Sequence, residues 1–112
     1  MEREFVESPT FTRLWSEARL SSENLRELEN IILQNPKVGD VIQGTNGLRK
    51  MRFKLQFTGK SGGIRVCYLD LEEEEVVFLF YLFRKADQEN LTKEQRNTFS
   101  KIVTRIKAEF KE

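Results

Sequence analysis

The spacing of hydrophobic residues along the chain predicts three helices. Apolar residues recur at intervals of three and four after Ser8, after Ser21 and after Thr92, which places them on one face of a helix. Serine and threonine suit the first turn because their side chains accept hydrogen bonds from its free amides. Thr92 with Gln95 matches a capping box. The second helix ends at Asn35, because the following proline disfavours helical backbone there, so the first two helices form an antiparallel pair.

Alternating and continuous apolar runs predict four strands. A short first strand is expected at Arg3–Glu7, and the segments Leu48–Leu55 and Ile64–Leu71 alternate with a period of two, as a half-buried strand does. Val76–Phe83 is apolar throughout, which indicates a strand buried on both faces and central in the sheet. Lys37–Gly47 is rich in glycine and is expected to be a loop.

These elements follow the order β-α-α-β-β-β-α. This order is typical of an α+β domain with a mostly antiparallel sheet, an N-terminal helix pair and a C-terminal helix. With 112 residues, 38% of them hydrophobic and 33% charged, we expect a single domain spanning residues 1–112. The longest apolar run is too short to cross a bilayer, and the N-terminus lacks the apolar core of a signal peptide. We therefore expect a cytoplasmic protein with no membrane partner.

Composition excludes several kinds of active site. The chain has no histidine and one cysteine, Cys67. A zinc site is therefore not expected, and neither a Ser-His-Asp nor a Cys-His arrangement can form. Any general acid or base must be a lysine, carboxylate, tyrosine or arginine. We expect no metal and no cofactor, and we expect Cys67 to be a small buried hydrophobic residue.

Charge is sorted along the chain, although the net charge is only +1. No aspartate or glutamate occurs from Val41 to Leu69, while residues 70–75 are mostly acidic. Alternation along the strand at 48–55 turns Met51, Phe53 and Leu55 to the core. The basic side chains then share the opposite face: Lys50, Arg52 and Lys54.

A hairpin of the two middle strands would bring Arg52 and Lys54 close to Arg65. Like charges opposite each other destabilise a sheet, and a bound phosphate would offset their repulsion. Lys85, at the end of the next strand, would extend this basic face. The face is therefore a candidate binding site for a phosphodiester. The alternative interpretation is a solvated strand face on which long basic side chains cover apolar surface.

Other polar features have simpler interpretations. Gly59-Lys60-Ser61 is not a nucleotide-binding loop, because Lys54 stands where that motif needs its first glycine. Asp40 and Asp87 flank the basic strands, where pairing with arginines is the default and general-base action the alternative.

Three segments together resemble RelE/HigB-type bacterial toxins: Val38–Lys50, Gly59–Val66 and Phe83–Thr92. The resemblance extends from about Phe5 to the last helix. It implies a small α+β ribonuclease that acts in the ribosomal A site, where the ribose 2′-hydroxyl of mRNA attacks the adjacent phosphate. It also implies a cognate antitoxin, expected to be a helix-turn-helix protein encoded nearby.

The resemblance also assigns residues. The expected catalytic residues are Arg52, Lys54, Arg65 and Lys85. Lys54 is the candidate base, because a lysine crowded by cations loses its proton more readily. The surrounding basic residues are expected to contact RNA or the ribosome: Arg49, Lys50, Lys60 and Arg84.

One departure concerns a tyrosine. Some members of the family carry a catalytic tyrosine a few residues past the position of Lys85, where Leu91 stands here and Asn90 is the closest polar residue. Two alternatives therefore stay open: a member of the superfamily that inhibits a protein such as DNA gyrase without cleaving RNA, and an RNA-binding module without catalysis.

Overall fold

A computed structural model describes residues 2–54 and 63–110 of the chain. Within these residues the helices and strands follow nearly the predicted order. The elements, in chain order, are β1 (Glu4–Glu7), α1 (Pro9–Glu17), α2 (Ser22–Gln34), β2 (Asp40–Val41), β3 (Arg49–Phe53), β4 (Ile64–Leu71), β5 (Val76–Arg84) and α3 (Lys93–Phe110).

The strands form a single sheet in the order β1-β5-β4-β3-β2. β1 pairs with β5 in parallel, and the other neighbours are antiparallel. The predicted α+β class is confirmed, with two corrections. The segment expected to be a loop contains β2, which pairs Asp40 with Lys50 and Val41 with Arg49. β4 is the central strand instead of β5, because β2 and β3 extend the sheet beyond it.

Each face of the sheet is covered by helices. On one face, which we call the helix-pair face, the side chains of α1 and α2 pack against Met51, Phe53, Val66 and other buried strand residues. On the opposite face, the α3 face, buried Val103 of α3 packs in a second cluster with strand residues that include Leu69. Alternation along each strand therefore decides which helix layer a side chain meets.

Side chains close the helix ends as the sequence predicts. The Ser8 hydroxyl accepts a hydrogen bond from the Phe11 amide (2.9 Å) and donates one to the Phe80 carbonyl (2.7 Å), which ties the start of α1 to β5. Ser21 forms a capping box at the start of α2. Thr92 and Gln95 exchange the two bonds of the capping box that precedes α3.

A bulge in β5 explains part of its uninterrupted apolar sequence. Cys67 pairs with Tyr81, but the next residue, Tyr68, pairs with Leu79. Phe80 is thus an extra residue, and both Phe80 and Tyr81 pack on the α3 face. A bulge places two successive side chains against one on the partner strand, so the period of two is broken here.

Candidate nucleic-acid interface

Two arginines face each other in the hairpin of β3 and β4. Arg52 pairs directly with Arg65, and Lys50 pairs with Cys67. Directly opposed residues place their side chains on the same face of a sheet, with their Cβ atoms about 5 Å apart. Because Cys67 belongs to the α3 face, so do Lys50, Arg52 and Arg65. The expected approach of Arg52 to Arg65 is therefore observed.

Two lysines stand at the sheet end nearest these arginines. Phe53, Ile64 and Arg84 form the last paired row, in which β3 ends, β4 begins and β5 ends. Lys54 and Lys85 directly follow this row and are exposed. They leave the strands on either side of β4, so about 10 Å of sheet separates their backbones. We call the combined set the basic cluster: Lys50, Arg52, Lys54, Arg65 and Lys85.

Arg49 lies away from the basic cluster. It pairs with Tyr68, which is buried on the helix-pair face. Its guanidinium Nη1 donates to the Gly39 carbonyl at 2.7 Å, and Gly39 in turn donates its amide to the Tyr68 hydroxyl at 2.9 Å. The structure therefore gives Arg49 a role in holding the segment before β2 against β3.

Arg84, which is also expected to contact RNA, lies away from the basic cluster. Arg84 pairs with Ile64 and lines a shallow groove beside α1 with Leu14 and Glu17, which is on the helix-pair side. Lys60 lies outside the described residues, as does Leu55, which was expected in the core.

The acidic and basic parts of the chain lie at opposite ends of the sheet. β4 begins at the basic cluster and ends at Leu71, where the turn Glu72–Glu75 leads into β5. β4 is 8 residues long, so about 25 Å separates its two ends. Asp70, next to this turn, is engaged by Arg3 at 2.8 Å. Charge sorting along the sequence thus becomes separation in space.

Asp40 approaches a lysine instead of an arginine. It pairs with Lys50 across β2 and β3, and both side chains therefore lie on one face. The Lys50 ammonium nevertheless donates to Oδ1 of Asn90, at 2.7 Å. Asn90 belongs to the connection between β5 and α3. The sequence indicates no role for it beyond being the polar residue next to Leu91.

Tyr81 is a second residue that the sequence pattern did not single out. Its hydroxyl accepts a hydrogen bond from Nε2 of Gln95 at 3.1 Å, and its ring centroid lies 6.1 Å from that of Phe83. Phe83 pairs with Arg65, so Tyr81 is a diagonal neighbour of the basic cluster. Tyr81 lies two positions before Phe83 and therefore on the same face, but the uninterrupted apolar run of β5 offers no alternation from which its face could be assigned in the sequence.

Cys67 is the buried hydrophobic residue that the sequence predicts. Its exposed fraction is 0%. Burial raises the pKa of its thiol to about 12, and the nearby charge of Lys50 lowers it by a smaller amount. The neutral thiol is therefore the form that packs beneath the basic cluster, and it is not a nucleophile at neutral pH.

The basic cluster suits stabilisation of a crowded phosphate. Fixed positive groups aimed at developing phosphorane charge lower the barrier to its formation.

Within residues 2–54 and 63–110, no three acidic or cysteine side chains come together in a way that could hold a metal ion. Of the helices in the same ranges, none combines the length and apolar character needed to cross a membrane.

Comparison with known proteins gives two results. A family profile described as the RelE toxin of the RelE/RelB toxin-antitoxin system matches residues 6–112. The fold resembles the solved structure of a double arginine-to-alanine mutant of the E. coli toxin RelE in the free state. That match has a TM-score of 0.56 and 22% identity and covers 80% of this chain and 90% of the other.

Proposed function

The chain belongs to the RelE toxin family of toxin-antitoxin systems, and we propose that it is a ribosome-dependent endoribonuclease that cleaves mRNA in the A site. It would act in the cytoplasm and stop translation. A cognate antitoxin, expected to be a helix-turn-helix protein encoded nearby, would neutralise it.

The proposal rests chiefly on the direct pairing of Arg52 with Arg65. Two guanidinium groups on one sheet face, with no acidic residue between Val41 and Leu69, form a site for an anion. Guanidinium groups bind phosphate oxygens through paired hydrogen bonds and keep their charge at all physiological pH values. Such a pair can bind the scissile phosphate and stabilise the extra negative charge of its transition state.

The proposed reaction uses this arrangement at the scissile phosphate. The 2′-hydroxyl oxygen attacks the adjacent phosphorus while the bond from phosphorus to the 5′-oxygen breaks, giving a 2′,3′-cyclic phosphate and a free 5′-hydroxyl. The proton leaves the 2′-hydroxyl and one is supplied to the 5′-oxygen, so the step balances without a metal or an oxidant. Lys54 is the proposed base that takes the proton from the 2′-hydroxyl, and Lys85, on the other side of β4, is the proposed acid that supplies a proton to the 5′-oxygen.

We expect separate alanine substitutions of Arg52, Lys54 and Arg65 to relieve the growth arrest caused by induced expression. Removing one such charge-stabilising group should lower the cleavage rate by about 100-fold. The control is Arg26→Ala, which removes an exposed arginine from α2, on the other side of the sheet. Mapping the 5′ ends of cellular transcripts should show cuts within translated codons for the parent and for Arg26→Ala.

Three other outcomes would contradict the proposed activity or the residues assigned to it. Growth arrest with DNA damage and intact transcripts would identify an inhibitor of a protein such as DNA gyrase. Absence of toxicity, with RNA binding retained, would identify a binding module without catalysis. Full toxicity of both Lys54→Ala and Arg65→Ala would remove the assigned residues from the mechanism.

A further inference from the structure

The connection between β5 and α3 holds one member of the basic cluster by a direct hydrogen bond. The Lys50 ammonium donates to Asn90 Oδ1 at 2.7 Å, across 40 positions of sequence. Lys50 is half-buried in β3, and Asn90 is exposed. A long lysine side chain loses much rotamer freedom when it is held in one place, so this contact sets where the ammonium lies.

The backbone at Asn90 is held without the help of its own side chain. Nε2 of Gln88 donates to the Asn90 carbonyl oxygen at 2.9 Å and to Oε1 of Gln95 at 3.1 Å. Leu91, the next residue, is 4% exposed and packs in the core of the α3 face. The Asn90 amide is therefore presented to Lys50 from an anchored segment, and substituting this side chain leaves the anchors in place.

The acceptor is a neutral amide although a carboxylate is near. Asp40 pairs with Lys50 in the sheet, yet the ammonium donates to Asn90. An amide oxygen orients an ammonium group and leaves its charge in place, whereas a carboxylate would also offset that charge. Lysine has three donors, so two stay available to an anion on the same face.

We propose that Asn90 is a positioning residue of the RNA site: it fixes the Lys50 ammonium beside the Arg52–Arg65 pair, where that ammonium binds a phosphate of the mRNA. This inference rests on the proposed nuclease function. It adds a residue that does not touch the reacting atoms and that acts through Lys50 alone.

A double-mutant cycle tests whether Asn90 acts through Lys50. We expect Lys50→Ala to lower kcat/KM for cleavage on mRNA-programmed ribosomes by about tenfold, the effect of losing one charge-assisted phosphate contact. Asn90→Ala should lower it by about fivefold, the effect of losing one orienting hydrogen bond. In the Lys50→Ala background, Asn90→Ala should have no further effect. Asn30→Ala, at an exposed position of α2, is the matched control.

Asn90→Asp separates positioning from a merely structural role. Aspartate keeps the acceptor oxygen, so a structural hydrogen bond would survive and activity would be normal. If Lys50 uses its charge to bind phosphate, the introduced carboxylate offsets that charge. The cleavage rate of Asn90→Asp then falls at least as far as that of Asn90→Ala. The urea unfolding midpoint, measured in parallel, should change little in either variant.

The outcomes distinguish this inference from the proposed function. The same cycle is measured for binding of the protein to programmed ribosomes. If the parent binds without cutting and the cycle still shows coupling, the nuclease proposal fails and the positioning role stands. Two results with a parent that cuts would overturn the positioning role. One is an equal loss of kcat/KM on Asn90→Ala in the parent and in the Lys50→Ala background, and the other is full activity of Asn90→Asp. A parent that neither cuts nor binds overturns both.

Discussion

Arg52 and Arg65 occupy directly opposed positions on one sheet face, where two like charges cost stability. A strand built for stability alone would place an opposite charge or a β-branched residue there. Proteins tolerate such unfavourable local choices mainly where function requires them. We therefore propose that the pair binds an anionic partner. It lies next to Cys67 and Phe83, which are buried.

Cys67 provides a residue-scale prediction. Because burial raises the pKa of its thiol to about 12, the native protein should react with iodoacetamide far more slowly at pH 8.5 than the urea-unfolded chain does. The folded state holds this proton more tightly than the unfolded chain does, which adds to the free energy of unfolding. This contribution is complete at pH values below the thiol pKa of the unfolded chain. That effect is lost as the pH rises from there through about 12.

Mass spectrometry of the alkylated protein over time measures both rates. Equal rates in the native and unfolded states would show that the thiol is accessible and that the packing beneath the basic cluster is loose.

The sequence predicted which residues share a face of the sheet better than it predicted their contacts. The period of two placed Met51 and Phe53 in the core and Arg52 beside Arg65, because alternation is a local property of a strand. The bond from Arg49 to the Gly39 carbonyl depends on where a loop returns, and no local pattern encodes it. For the same reason the contact between Lys50 and Asn90 could not be predicted.

At the scale of elements, the segment before β3 matters more than its loop-like composition suggests. A Cβ atom added at Gly39 would lie 2.9 Å from the Lys50 carbonyl oxygen and 3.0 Å from Cε1 of Tyr68. Both neighbours belong to the sheet and cannot move aside without cost. Glycine is therefore required for the close approach of this segment to β3, the strand that carries Lys50 and Arg52.

Gly39→Ala should lower the free energy of unfolding by about 2 kcal/mol, which is typical of forcing an extra carbon into a packed site. Chemical denaturation measures the loss. Val41→Ala, in the same segment but 56% exposed, serves as the control and should have a small effect. Equal stability of Gly39→Ala and the parent would show that β2 can shift away from β3 without cost.

Two elements show where sequence patterns fail. β2 contains 2 residues, which is too short for any period to be detected, and it forms only because β3 offers a free edge. The bulge in β5 adds Phe80 to a run that is apolar on both sides, so alternation could not reveal it. In contrast, helix caps depend on residues three positions apart, and all three were predicted.

At the scale of the whole molecule, the fold separates opposite charges. The acidic turn and the basic cluster lie at the two ends of β4, and helices cover both faces between them. A protein with a net charge of +1 thus presents one strongly basic end. This separation favours orientation of that end toward a polyanion as the molecules approach, which would suit the proposed action on mRNA in the ribosome.

A purified system can test directly whether the basic cluster cleaves mRNA on the ribosome, as we propose. Ribosomes programmed with a defined mRNA are mixed with the parent or with Arg65→Ala, and the RNA products are mapped. We expect the parent to cut within the A-site codon and leave a 2′,3′-cyclic phosphate, and Arg65→Ala to cut about 100-fold more slowly. Intact mRNA with the folded parent would contradict the proposed cleavage, and equal cutting by both proteins would contradict the role of Arg65.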